Sequence, residues 1–547
     1  GRGFHQDREN GARQVSRHGD KPFSRCCTAA GEDQYYRAAH MALLFIAIFF
    51  LAAGCGRKKQ PRDPAVARVG DRVITVSEFR SNYEFGMPFL KKGPDPKSAY
   101  LDYMIREKLL ALEGYRLGFD RHPRVRENEA ALMPELLIEE LFDHEIRRKI
   151  TVTTEEIHEG ITKAKVSWKF RYWFEPNRAD ALAVRTAMEE AGYARVVAEL
   201  LESNPEIRLE PADFESGYLT WLEIDPAILA AIKDLPVGEI SEPLFINGAW
   251  VLFQITDIRR EAFTENAFRE GAESMRQVLF YRKAQTAVRR YVDSLMTPLD
   301  VRTKAESFRL LADALAEWTA LEPAERGEVL AVAAKAGPEQ PHLRKLNNHL
   351  DAPLTEFAGG RWTIGDFLQR FDPASIKAPA GDLHAFRKSI NQRLALTLRD
   401  HYLAGEARKL KLDKSPRLQH SLQQWRDKWV YDEARSHFLR SVMVDSAATR
   451  TFFQQNLARY RLHKRKEPLF AEFGEEAKRD AWLQKAREML NGEAAALQRR
   501  YPVTIHRAIL DTIHVSAAAD NKWMSVQLFK SGSQRMAAPI ADPAWGL

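Results

Sequence analysis

The sequence predicts a mainly α-helical, multidomain chain with one inserted α+β domain, and three observations lead there. A length of 547 residues exceeds what a single hydrophobic core holds, so two to four domains are expected. Stretches such as Leu101–Val125 place apolar residues three and four apart on one helical face, and this pattern returns near Leu394. Between Val166 and Ile258, by contrast, two apolar strands flank helical segments. Hydrophobic residues make up 45% and charged residues 29%, the balance of folded material rather than disorder.

Lys and Arg number 82 against 75 Asp and Glu, a surplus of +7 too small over this length to imply a nucleic-acid surface. The densest basic run, Arg459–Lys466, reads as a solvated helix end or loop. All three cysteines, Cys26, Cys27 and Cys55, precede the body of the chain, which therefore holds no disulfide.

Taken in order, residues 1–40 are set apart from the fold as an upstream extension. From Met41 to Gly54 runs an apolar segment too short for a comfortable membrane span, which needs about 20 residues. It fits the hydrophobic part of a signal peptide, with an uncleaved anchor or a buried segment as the alternative. Leu51-Ala52-Ala53-Gly54-Cys55 resembles the lipobox of bacterial lipoproteins, although Ala52 stands where the family usually has Leu and Arg37 is the nearest preceding positive charge. The resemblance implies cleavage before Cys55 and a diacylglycerol on its thiol, hence a place in the cell envelope, periplasmic and anchored to the outer or inner membrane. Residues 55–64 read as a polar tether.

Residues 65–160 predict a short alternating strand around Val66 to Val73, then a helix opened by the Thr75/Glu78 capping pair. A second helix carries Leu101, Met104, Ile105, Leu109 and Leu112 on one face and stops at Gly118. The pattern recurs from residue 351 to 512. Phe367 answers Phe79 at an offset of 288 residues, with Thr363/Asp366 as the capping pair. Leu394, Leu398, Leu403, Glu406, Leu410, Asp413, Pro416 and Arg417 answer Leu101, Ile105, Leu110, Glu113, Leu117, Asp120, Pro123 and Arg124 at 293. Agreement at one offset marks an internal repeat. Each copy resembles the N-terminal chaperone module of SurA-like proteins, which implies a helical cradle for unfolded clients. In that family a later helix completes the module; residues 262–298 are expected to complete the first copy and Trp482–Tyr501 the second. Residues 299–350 read as a helical connector, and 513–547 as a tail, with Trp523–Lys530 a candidate last strand.

Residues 161–260 follow a capping box in Thr151–Glu156. The strand Val166–Phe174, a long helix Ala179–Glu202, the turn-rich Glu215–Ile228, a short helix reaching Leu235–Ser241 and the strand Trp250–Ile258 give a β-α-turn-α-β order. With GYLTW from Gly217 and LPVGEISEP from Leu235, this segment resembles a parvulin peptidyl-prolyl isomerase domain of the PpiC kind. The resemblance implies an apolar peptide-binding pocket at Leu219, Ile224 and Ile228, with Trp221 and Trp250 beside it. Where the family carries histidines in its first and last strands, this chain has Phe170 to Tyr172 and Trp250. Trp168, Trp173, Trp221 and Trp250 suit either core or groove, since alternation sends half of a strand to each side. Isomerisation must lower a barrier of about 18–20 kcal/mol by stabilising a twisted amide. Aromatic bulk keeps the desolvation and discards the polar network, so peptide binding with weak or absent isomerase activity is expected. An active isomerase with a rearranged site is the alternative.

No metal-binding motif, glycine-rich phosphate loop or paired cysteine motif is present, so no cofactor, metal, nucleotide or nucleic acid is expected. The expected partners are unfolded exported proteins and the membrane, through the lipid; the expected function is that of a lipid-anchored chaperone of the SurA/PrsA type. A structural tether in an export or polysaccharide-secretion complex is the third reading.

Overall fold

The computed structural model describes residues 63–204, 209–262, 264–371, 376, 381–461, 467–515 and 538–546. Cys55, the apolar run before it and the candidate strand Trp523–Lys530 lie outside the described residues. The described chain forms two compact units, one from Ile150 to Ala287, the other from the residues before and after it. Helices dominate both, and the fold is mainly α and multidomain.

β1 (Ala65–Val69) and β2 (Arg72–Thr75) form a hairpin where a single strand was expected, because Gly70 adopts a φ of +57° that reverses the chain. α1 (Val76–Phe85) starts at Thr75, whose Oγ1 accepts from the Glu78 amide at 3.3 Å. Only that half of the expected capping box forms, since the Glu78 carboxylate turns instead to Lys108, 3.0 Å away. α2 (Pro96–Arg116) buries all five residues of its predicted apolar face. Gly118, at φ +82°, ends it, and α3 (Pro123–Glu145) follows.

α4 (Thr154–Ala164) opens the inserted unit with a complete capping box between Thr153 and Glu156. Then come β3 (Val166–Glu175), α5 (Arg178–Ala191) and α6 (Tyr193–Glu202). The expected single helix is broken at Gly192, whose φ of +86° is open to glycine. β4 (Leu219–Thr220), α7 (Pro226–Ile232), β5 (Leu244–Ile246) and β6 (Ala249–Arg260) complete an antiparallel sheet of order β4-β3-β6-β5. α5, α6 and α7 bury Val184, Val197 and Ile228 with Phe170, Phe253 and Ile255 of the central strands. The unit is wider than residues 161–260, because Met275 of α8 (Glu265–Met296) packs against Ile157 and Ile161 of α4. Gly160 permits this approach; a Cβ there would meet the Met275 sulfur at 2.8 Å.

Beyond α8, β7 (Arg302–Thr303) leads to α9 (Ala305–Ala320), α10 (Val329–Lys335) and α11 (Pro341–Asn347). The hairpin β8 (Pro353–Phe357) and β9 (Gly360–Thr363) precedes α12 (Ile364–Leu368), which is opened by a complete Thr363/Asp366 capping box. α13 (Leu383–Lys409) and α14 (Pro416–Leu439) then repeat α2 and α3. The join repeats as well: Lys411 stands at φ +57° where Gly118 stood, with a short 3-10 turn and a proline after each. α15 (Ser446–Gln455), α16 (Leu457–Tyr460), α17 (Phe470–Arg500), β10 (Val503–Ile505) and α18 (Arg507–Thr512) close the order.

Each hairpin gains a third strand, but not from the source the sequence suggests. β10, carried in by α17, pairs with β1, so Leu490 and Leu497 of α17 complete the first copy's core. β7, carried in by the chain after α8, pairs with β8 of the second copy. The connector is no spacer: α9, α10 and α11 supply Leu311, Leu315, Val329 and Leu343 to the core around Phe367. Local periodicity marks both completing segments correctly as apolar and helical, yet carries nothing about which open strand edge each will reach.

Candidate functional site

The residues expected to bind peptide do not gather in one pocket. Phe170 and Tyr172 are enclosed in the core of the inserted unit, where Tyr172 donates to the Asp213 carbonyl at 2.6 Å and Phe170 meets Phe253 edge to face. Ile224 and Ile228 are sealed in the same core, so in this conformation they offer a ligand no surface. Leu219 packs partly exposed at its margin, on edge strand β4 opposite Trp168. Trp221 belongs to a different cluster: its indole N–H donates to the Gly160 carbonyl at 3.0 Å and the Arg282 guanidinium covers its ring at 4.2 Å.

Trp250 stands apart, at the start of β6 opposite Glu175 rather than opposite Phe170 or Tyr172. It is half-buried and meets Phe245 of edge strand β5 at 5.3 Å between ring centroids, with the Arg178 guanidinium 5.7 Å from its ring centroid. Phe245 is 58% exposed, and Val237 in the preceding turn 57%. An exposed phenylalanine beside a half-buried tryptophan on a short sheet edge is the kind of surface to which an extended segment adds by backbone pairing and side-chain contact. Phe245 escaped the sequence reading because LFI around it looks like any buried strand; only the alternation against β6 turns it outward.

A polar cluster lies in the other unit, where α2 runs along α14. Lys108 sits between Asp427 at 2.8 Å and Glu78 at 3.0 Å. Burial acts to lower the Lys108 pKa, but the two carboxylates outweigh it and raise it above the ordinary range. Burial likewise opposes ionisation of Asp427, yet Lys108 and Arg72 hold it below the usual carboxylate value. Asp427 also accepts from Tyr115 at 2.9 Å and from Gln423 at 2.6 Å. Beside this cluster Lys428 pairs with Glu107 at 2.8 Å. A cavity of about 30 Å³, room for one or two waters, opens between Glu107, Lys108, Asp427 and Tyr431. No sequence motif marks this cluster, because its members come from segments more than 300 residues apart; charged residues inside the apolar periodicity of α2 are its only trace.

Among the described residues no group of three or more His, Cys, Asp or Glu side chains is arranged to hold a metal ion, and no helix is long and apolar enough to cross a membrane. No family model matches the chain, and no curated protein matches it. A solved structure from a study of two structurally related SurA-like chaperones of Campylobacter jejuni is similar at 15% identity, over 44% of this chain and 100% of that one, with a TM-score of 0.18.

Proposed function

We propose that this chain is an exported, lipid-anchored chaperone that binds unfolded exported proteins and has weak or no prolyl isomerase activity. The observation that carries the reading is the fate of the three aromatic residues at the histidine positions of the parvulin resemblance. Phe170 and Tyr172 are sealed inside, while Trp250 stands half-open beside the bare Phe245. Such a surface desolvates a client segment but presents no imidazole network to stabilise a twisted amide. The inserted unit then acts as a parvulin-derived binding lobe, and the helical repeat as a pair of SurA-like modules. Anchoring through Cys55 and a periplasmic location belong to the same proposal and rest on the lipobox resemblance.

Two assays on the full chain test it. The chaperone reading expects suppressed aggregation of an unfolded client, with no acceleration of a proline-limited refolding reaction, and Phe245→Asp weakening the suppression several-fold. Acceleration that disappears on Trp250→Ala would make the lobe an active isomerase. Neither activity would leave a structural tether.

A further inference from the structure

The last described segment of the chain, Ala541–Trp545, lies across α1, α2 and α14 and is bound there as a peptide ligand would be. Ala541 is fully buried, and its amide donates to Asn82 Oδ1 at 2.8 Å. Asn82 is itself held by Tyr100, whose hydroxyl donates to the same side-chain oxygen at 2.8 Å. Glu107 takes two donors from the segment, the Asp542 amide and the Trp545 indole N–H, the latter at 3.1 Å. Asp542 accepts from the Tyr431 hydroxyl at 2.9 Å and pairs with Arg435 at 3.3 Å. The Trp545 ring is 5% exposed, lies 6.4 Å from the Tyr431 ring and has the Arg106 guanidinium 5.8 Å from its centroid. An aromatic anchor in a closed site, one charged acceptor reading its N–H and a cation reading an acid nearby are the marks of specific recognition.

The other copy of the repeat supplies the contrast. Positions 106 and 107 correspond to Arg399 and Asp400, which pair with each other at 2.6 Å, and Tyr431 corresponds to Ile138 in α3, buried among leucines. The same backbone therefore occurs once with a leucine seam and once with a lined groove.

We propose that the groove between α2 and α14 is a recognition site for peptide segments bearing a tryptophan three residues after an acidic one, and that the chain's own Ala541–Trp545 occupies it as an internal competitor. The proposal rests on the client-binding reading and names a site and a substrate pattern for it. Glu107 reads the indole, Tyr431 and Arg435 read the acid, and Asn82 fixes the register through one backbone amide.

The test uses a fluorescein-labelled peptide of sequence APIADPAWGL, residues 538–547. It is titrated into the full chain, into a chain ending at residue 537, and into a full-length Asp542→Ala, Trp545→Ala double variant. Expected is binding to either altered chain at least tenfold tighter than to the parent, a loss of about tenfold on adding Glu107→Gln, and no binding of a peptide with alanine in place of its tryptophan. Equal binding by parent and altered chains, or none by a double variant with the parent's circular dichroism, overturns the proposal. So does unfolding of both altered chains, since a segment the core cannot do without is no competitor. Altered chains that bind the peptide yet fail to hold an unfolded client would keep the groove and remove the client-binding reading.

Discussion

Where α2 of the first copy lies along α14 of the second, the interface holds Lys108, Asp427, Glu107 and Lys428. Where α13 of the second copy lies along α3 of the first, it holds Leu132, Leu136, Leu137, Leu403 and Ala404, with Leu295 of α8 packed against them. The two interfaces arise from matched helices joined by matched turns, so the backbone does not decide their chemistry. The leucine seam stabilises the contact between the copies through burial, at roughly 25 cal/mol per Å² of apolar surface. Charges enclosed in the other interface bear a desolvation cost that packing alone would avoid. Of two corresponding surfaces, one is closed by leucines and the other encloses paired charges.

The largest expected effect comes from removing the central cation. Lys108→Met leaves Asp427 and Glu78 without their shared partner and is expected to cost about 3–5 kcal/mol in chemical unfolding. Leu403→Met in the leucine seam keeps volume and chemistry and is expected to cost less than about 1.5 kcal/mol. Similar losses at the two sites would erase the distinction between the interfaces.

Asp432 sharpens the comparison through pH. Burial, with Glu107 and Asp542 nearby, raises its carboxyl to about 6. The folded chain therefore keeps this proton to a higher pH than the unfolded chain does, so the stability it contributes is complete below about pH 4 and is lost as pH rises through 6. Asp432→Asn is expected to match the parent near pH 4 and to exceed it by about 2 kcal/mol at pH 7, allowing for the solvent that reaches the group. Thermal melts across that range measure it; a constant offset would assign the effect to another group.

The smallest effect tests the matched joins. Gly118 adopts its left-handed conformation without penalty, whereas Lys411 carries a side chain at φ +57°. Lys411→Gly is expected to stabilise the chain by about 1 kcal/mol. Gly118→Lys should destabilise it by a similar amount.

These joins also mark what the amino-acid order reveals and what it withholds. Helix faces such as Leu101 to Leu112, the stop at Gly118 and the capping pairs at Thr153 and Thr363 are local patterns, and each has a local physical cause. The recurrence at 293 residues follows from them. The capture of β1 by β10 has no local signature, since an open strand edge accepts any strand of suitable pattern. For the same reason Ile224 and Ile228 look in sequence like pocket residues and lie in the structure inside a core: apolar spacing says that a side chain is covered, not by what. The Trp545 segment is legible only in outline, as a lone tryptophan in a stretch of small residues and prolines.

Hydrogen exchange of the full chain, with and without a reduced and carboxymethylated unfolded protein, tests the central claim most directly. The account predicts slowed exchange around Leu244–Trp250, the sheet edge that carries Phe245. Unchanged exchange along the whole chain at saturating client would contradict it.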